Sequence, residues 1–357
     1  MNVNIEVSAI NTHFFSYNKK EQEISEIEIP DKKLYNTKMI NYCFYSINEA
    51  NISDNIKDML YYSNNYLVVE DYDFINISQL NEKYIEKLNL KNTDKYLLFK
   101  YKNEHLIDFN DYLFNFTDSK RFIFSIIESF SYILQSLEKL NANNICFFNL
   151  SPQNIGFSLN NPILHNFQTS LQISKLSQSY ITNIIKKVDN YTHKPLEVHV
   201  LFYLIQNDIF TISSSFIEEI CEVFIKNLSI LTFFSKQFGV SYKLACKEFL
   251  TKYINKPKLD IINDILQYNG TWDVYSFSIL YLHIFGSLTH VFMLKDTFIN
   301  KMAVELSKNI HPDPLKRNNL EKLLDNYNKL FNNQKDWNFV NNLSSSKMND
   351  LFTILSK

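Results

Sequence analysis

Glycine is nearly missing from this chain: there are four in 357 residues, and none before Gly156. A loop whose backbone N–H groups close on a phosphate needs glycine, because a Cβ holds the main chain away from the anion. The first 155 residues therefore hold no glycine-rich phosphate loop. Cysteine is as scarce. Cys43, Cys146, Cys221 and Cys246 lie far apart, form no C-x-x-C and have no histidine at zinc-ligand spacing. That excludes a disulfide framework and a zinc staple, and it reads as reduced, partly buried thiols in a reducing compartment. Neither charge is in excess: 36 Lys and Arg stand against 38 Asp and Glu, a net of -2. No global basic field directs the chain to nucleic acid or to an anionic membrane.

The opening "MNVNIEVSAINTHFF" lacks a basic n-region and a long apolar h-region, so a cytosolic protein is expected. One run, Val274 to Leu294, is apolar for most of the length a membrane span requires, but His283, Gly286, Ser287, Thr289 and His290 interrupt it. It reads as a buried central helix that breaks near Gly286. A hydrophobic share of 45% is enough for a substantial core. The wealth of Asn, Ile, Lys, Tyr and Phe points to an AT-rich coding genome.

Two patterns divide the chain. Up to about Tyr101 the apolar residues come in short β-branched and aromatic runs, "EISEIEI", "MINYCFYSI", "NYLVVEDY" and "KYLLFKY", which predict strands. "NEANISDNIKDMLYY" among them predicts one helix, with Ser53 as N-cap. "EDYDF" at 70–74 reads as a turn. After a short hinge near Tyr101 to Glu104, long helical periodicity takes over, clearest in "SKRFIFSIIESFSYILQSLEKLNANN". The fold class is α+β: a first, β-rich lobe over residues 1–101, a helical second lobe over 102–331, and a tail at 332–357 that packs as one more helix. No internal repeat is visible, and "SKR" and "KK" at 186–187 are solvated faces.

Following the long helix, "ICFFNLSPQNIGF" and then "ILHNFQTSL" give the order loop, strand pair, loop. This order resembles the protein kinase catalytic core, whose His-Arg-Asp-Leu-Lys-Pro-Glu-Asn and Asp-Phe-Gly sequences occupy those two loops. Leu150, Pro152, Asn154 and Phe167 stand in register with that pattern. "HKPLEVHV" looks like the Ala-Pro-Glu segment, with Pro195 and Glu197. "TWDVYSFSILYL" looks like the opening of the central helix, with Asp273, and "IHPDPLKRNNLEKLL" like the closing Asp-Pro-x-x-Arg helix, with Asp313 and Arg317. The "PLEVH" and "TWDxYS" phrases are similar to those of the serine/threonine kinase-like proteins of large nucleocytoplasmic DNA viruses. The resemblance implies a bilobal kinase-like fold in a viral protein, with the host cytoplasm and the virion as its locations.

Where that family carries chemistry, this chain departs from it. The base position is Asn149, whose amide orients a hydroxyl but takes no proton. The phosphate-steadying lysine is replaced by Ser151, and the metal-binding aspartate by Asn166, a neutral donor where a hard dication prefers carboxylate. Gln168 replaces the glycine. No lysine lies between Met39 and Ile56; Lys38, just before the expected strand, is the nearest substitute, with Glu49 or Asp54 as its acidic partner. Asn154 and Asn166 remain as weak metal candidates, yet loop-stabilising roles are the simpler reading for Asn149 and Asn154. His165, beside Asn166, reads as a packed or solvent-facing histidine and not as a base.

The residues whose family role is architectural are present. The resemblance implies a buried pair between Glu197 and Arg317, and an Asp273 that accepts hydrogen bonds from the catalytic-loop backbone. The expected function is a catalytically impaired pseudokinase that binds a protein partner or serves as a virion component, without nucleic acid, membrane span, metal or cofactor. Two readings compete with it: a divergent serine/threonine kinase or nucleotide-dependent transferase using ATP and Mg²⁺, and a purely structural virion protein whose cleft is filled by Phe147, Phe148 and Phe167. Between Glu197 and Asp273 the chain carries an insertion at about 201–268, predicted as helices with a cap at Ser214 or Ser215 and a turn at Gly239. Its exposed face is the expected protein-binding surface.

Overall fold

The computed structural model describes residues 15–18, 23–26, 35–75, 95–188 and 193–356. The architecture is α+β, with helices dominant. Strands β1 (Phe15–Asn18) and β2 (Glu23–Glu26) form an antiparallel pair; the rest of the "EISEIEI" run lies outside the described residues. A three-stranded antiparallel sheet follows, in the order β3 (Tyr35–Asn41), β5 (Tyr96–Lys102), β4 (Val69–Ile75). The middle strand is the one whose Tyr96, Leu97, Leu98 and Phe99 are buried in succession, as a strand covered on both faces requires. "EDYDF" belongs to β4 and is not a turn.

Helix α1 (Phe44–Lys57) lies against this sheet, with Ala50 sharing a small core with Val69, Leu97 and Phe99. It starts four residues before the predicted helix, so the run from Met39 to Ile47 is a strand end followed by a helix start. The Cys43 N–H donates to Ser46 Oγ at 2.9 Å and fixes that start. Ser53 is no cap: it is buried inside α1, where its Oγ accepts the Val69 N–H at 3.1 Å and ties helix to strand.

Past Lys102 the chain enters the helical body through β6 (Ile107–Asp108), α2 (Phe109–Phe114) and α3 (Ser119–Ala142). Asp118 caps α3 by accepting the Arg121 N–H. Four short strands come next, β7 (Ile145–Cys146), β8 (Ile155–Ser158), β9 (Asn161–Leu164) and β10 (Leu171–Gln172), and then α4 (Gln178–Lys187) and α5 (Leu196–Gln206). The stretch expected as an insertion holds α6 (Ser214–Asn227), α7 (Lys236–Thr251) and α8 (Lys258–Leu266). Ser213, one residue earlier than predicted, caps α6, and Gly239 lies in the second turn of α7, not at a bend.

The centre of the body is α9 (Trp272–Phe292), crossed by α3. The Phe130 ring of α3 stands 4.7 Å from Phe277, 4.8 Å from Tyr281 and 5.8 Å from Phe285. This helix does not break at Gly286. Glycine is needed there because a Cβ would come within 2.8 Å of the Phe233 ring. The helix is long and apolar enough to cross a membrane, but 72% of its apolar window is buried inside the protein, as in a core helix. Helices α10 (Phe298–Asn309), α11 (Leu320–Asn333) and α12 (Met348–Leu355) close the body, with Leu351 of the tail fully buried.

Candidate functional site

Short strands bring the two loops together. β7 pairs with β10 and β8 with β9, so the segments 147–154 and 165–170 begin and end side by side. Apolar side chains root both. Phe147, Phe148 and Phe167 are buried at 0 to 1% exposure within the main core; the Phe147 and Phe167 rings meet edge to face at 5.2 Å, and Tyr66 continues the row at 6.2 Å from Phe167. The three phenylalanines belong to the packing beneath the loops.

Above them the sequence-predicted residues converge. Asn154 is buried, and its Nδ2 donates to the Asn149 carbonyl at 2.7 Å and to Ser151 Oγ at 3.2 Å. A carbonyl only accepts, so the amide is oriented with Oδ1 pointing the other way. That Oδ1 receives Asn166 Nδ2 at 2.9 Å. Asn166 reaches it from a left-handed backbone (φ 65°, ψ 69°), a conformation asparagine tolerates better than most residues. Asn149, Ser151, Asn154 and Asn166 thus form one neutral chain of hydrogen bonds. An N–H donor occupies the line between Asn154 and Asn166 along which two oxygens would need a cation. A hard dication is held by several oxygens with carboxylate charge among them; this donor set supplies no charge and turns an N–H inward, so the residues do not fit Mg²⁺. Among the described residues no group of three His, Cys, Asp or Glu side chains could hold a metal ion.

The loop is held from below. The Phe147 and Phe148 N–H groups donate to the two carboxylate oxygens of Asp273, each at 2.7 Å. Phe148 has φ 62°, where a bulky residue is strained by roughly 1 to 3 kcal/mol, so the paired acceptor is what fixes the loop. Burial pushes the Asp273 carboxyl up, opposed by those two N–H groups and by the nearby Lys194 ammonium. Lys194 itself is buried, has no hydrogen-bond acceptor among the described residues, and lies 4.4 Å from the Phe148 ring centre. Its ammonium is pushed down to about 8 by burial, against the pull of Asp273 and Cys146.

Glu197 and Arg317 meet as a bidentate pair with neither side chain exposed. Asp313 accepts the Leu315 N–H and caps the turn before Arg317. Lys38 lies within β3, opposite Phe99, and is exposed. Its charge acts on Glu49: burial raises that carboxyl, while Lys38, Gln168, Tyr101 and Lys187 oppose the rise. Asp54 pairs instead with Lys57 at 2.9 Å. His165 is held near pH 4 by burial, opposed by Asp108, and is neutral at physiological pH.

Two residues important to this geometry were not singled out in the sequence. Lys194 sits in "HKPLEVHV", where a lysine before Pro-Leu carries no sign of burial. Asn48 is the other: its Nδ2 donates to the carbonyls of Gln168 (3.0 Å) and Ser170 (2.8 Å), and its Oδ1 accepts from the Tyr180 hydroxyl. It locks α1 onto the second loop. Ser46, Glu49 and Ser53 are buried on the same helix, so no lone polar residue on an apolar face marks Asn48 in the sequence.

No protein-family model and no curated protein sequence matches the chain. Among solved structures it is similar to the twitchin kinase region from C. elegans (Fn31-NL-kin-CRD-Ig26), with a TM-score of 0.44 and 10% identity. The match covers 90% of this chain and 45% of that one, so the chain spans less than half the length of the twitchin structure's chain.

Proposed function

We propose that this protein is a kinase-like pseudoenzyme of the kind encoded by large DNA viruses, a bilobal body that binds a protein partner in the host cytoplasm or virion and transfers no phosphoryl group. The observation that carries the reading is the Asn166 to Asn154 amide hydrogen bond, which closes with neutral groups the place where the kinase pattern requires an aspartate and a metal ion. The loop has no proton acceptor at Asn149, and the nearest histidine, His165, is desolvated. What remains is architecture: the Asp273 anchor, the Glu197 to Arg317 pair and the Asn48 clamp all serve to hold a shape.

The test is thermal unfolding with ATP, with and without Mg²⁺. A ligand at a hundred times its Kd adds about 2.7 kcal/mol to the folded state, so binding is readily seen in the midpoint. We expect no magnesium-dependent rise for the wild-type chain. In Asn166→Asp a carboxylate oxygen would face Asn154 Oδ1, so this variant should be destabilised alone and regain stability with Mg²⁺ or Mn²⁺. A magnesium-dependent rise in the wild type that Asn154→Ala removes, or phosphoryl transfer that Asn154→Ala abolishes, would overturn the reading.

A further inference from the structure

We infer that the seam between α6 and α7 is a docking groove for an acidic amphipathic helix of a partner protein. The two helices run antiparallel, because Glu218 pairs with Lys247 and Glu222 with Lys243. Beyond those ion pairs the seam opens into a trough of about 420 Å³, with an almost wholly apolar floor and lysines at its rim. On α7 the exposed face reads Lys236, Val240, Lys243, Leu244, Lys247, which is one helical stripe with cations and apolar groups interleaved. Val240 is 66% and Leu244 58% exposed, large fractions for aliphatic side chains on neighbouring turns. Ile225 of α6 forms the opposite wall.

An independent observation comes from Gly239 at the trough floor. Glycine is the least helix-favouring residue after proline. Two of the chain's four glycines have an internal reason: a Cβ on Gly156 would come within 2.8 Å of Leu106, and one on Gly286 within 2.8 Å of Phe233. A Cβ on Gly239 or on Gly270 would meet nothing within 4 Å, but Gly270 lies in a single short turn, whereas Gly239 lies within a 16-residue helix. The notch is empty from inside, so what it accommodates approaches from outside. A notch beside two exposed aliphatic residues accepts the apolar anchor of a helix laid along the seam.

Charge selects the occupant. Lys236 has no ion-pair partner among the described residues, and Lys243 and Lys247 are held only by exposed glutamates, pairs weak enough for a partner's carboxylates to exchange with. An anionic bilayer would bring its headgroups against Glu218 and Glu222 as well, whereas a helix can set its carboxylates opposite the lysines alone. The groove uses no residue of the amide site, so this inference and the proposed function fail separately.

The experiment is fluorescence anisotropy of the full chain with a fluorescein-labelled helical peptide bearing leucines on one stripe and glutamates elsewhere, beside the same peptide with lysines in place of glutamates. Phosphatidylserine vesicles and sedimentation velocity of the protein alone complete the set. We expect saturable binding of the acidic peptide only, weakened at least about tenfold by Lys236→Glu and by Gly239→Leu. Gly239→Leu fills the trough with a better helix former, so its melting midpoint should stay level or rise, and lost binding cannot be ascribed to unfolding. Absence of peptide binding, equal binding of the lysine peptide, or insensitivity to both substitutions would overturn the inference. So would vesicle binding or self-association, should either be the process that those substitutions abolish.

Discussion

Arg317 holds Glu197 with two parallel hydrogen bonds, Nη1 to Oε1 at 2.6 Å and Nη2 to Oε2 at 2.9 Å, joining the start of α5 to the turn before α11. The pair is not symmetric in what surrounds it. Arg317 also donates to the carbonyls of His311 (2.7 Å) and Pro312 (3.1 Å) and lies over the Tyr275 ring at 5.0 Å. Burial alone would lower the guanidinium's pKa, and Glu197, with Tyr275 and Tyr242 beside it, more than offsets it. Glu197 has no other donor among the described residues. Removal of either partner leaves a buried charge, with a cost of about 3 to 5 kcal/mol. Arg317→Ala, which strands the carboxylate, should lie at the upper end of that range, and Glu197→Ala lower, because the guanidinium keeps two carbonyls. Urea denaturation of both variants decides it; equal and small losses would mean that the pair is solvated.

Lys194 makes a prediction with a sign. Its folded pKa of about 8 lies below the 10.5 of a free lysine, so the unfolded chain binds the proton more tightly. The penalty is complete below pH 8 and is relieved as pH rises from 8 to 10.5. At about 1.4 kcal/mol per unit this amounts to roughly 3 kcal/mol at pH 7, with the loss of Asp273's cationic neighbour subtracting from it. Lys194→Met should therefore be more stable than wild type at pH 7, and the advantage should shrink toward pH 10.5. An advantage independent of pH would show that the ammonium is hydrated.

His165 predicts the acid side. Its folded value near 4 lies below the ordinary 6.5, because burial disfavours the imidazolium. The neutral ring's contribution is whole above pH 6.5 and is lost as pH falls toward 4, up to about 3 kcal/mol. His193, also near 4, adds a second proton-linked loss in the same window. His165→Gln should flatten the decline of stability between pH 6.5 and 4, and NMR titration of the ring should show no protonation at pH 6.

The periodic helices were legible because their apolar residues recur at three and four, as α3 shows from Phe122 to Leu137. The start of α1 was not, since a short run such as "MINYCFYSI" suits a strand as well as a buried helix turn, and a Cys43 to Ser46 contact decided it. Glycine misled twice. At Gly286 and Gly239 the sequence suggests a breaker, but both lie inside helices, one beneath a close aromatic ring and one at an open trough. In the candidate site the residue types were readable while their mutual bond was not. Asn154 and Asn166 meet only because a left-handed turn at Asn166 and the β8 to β9 hairpin return the chain, and no spacing rule encodes that.

Asp273 should be the least replaceable side chain of the loop. Its two oxygens each satisfy one buried N–H, so Asp273→Asn can serve Phe147 or Phe148 but turns its own NH₂ toward the other. An unmet buried N–H costs about 1 to 3 kcal/mol, to which the strain at Phe148 is added once its acceptor is gone. The substitution also removes the carboxylate charge that raises the Lys194 pKa, leaving that buried ammonium without its anionic neighbour. Coupling follows. Lys194→Met should rescue part of the loss in Asp273→Asn, since the neutral amide then has no cation beside it, and the double-mutant cycle should depart from additivity by more than about 0.5 kcal/mol. Amide hydrogen exchange gives the local readout: in Asp273→Asn the Phe147 and Phe148 amides should exchange faster while the amides of α3 keep their protection relative to global stability. Additive single and double variants, with unchanged exchange at both phenylalanines, would show that Asp273 does not hold the loop.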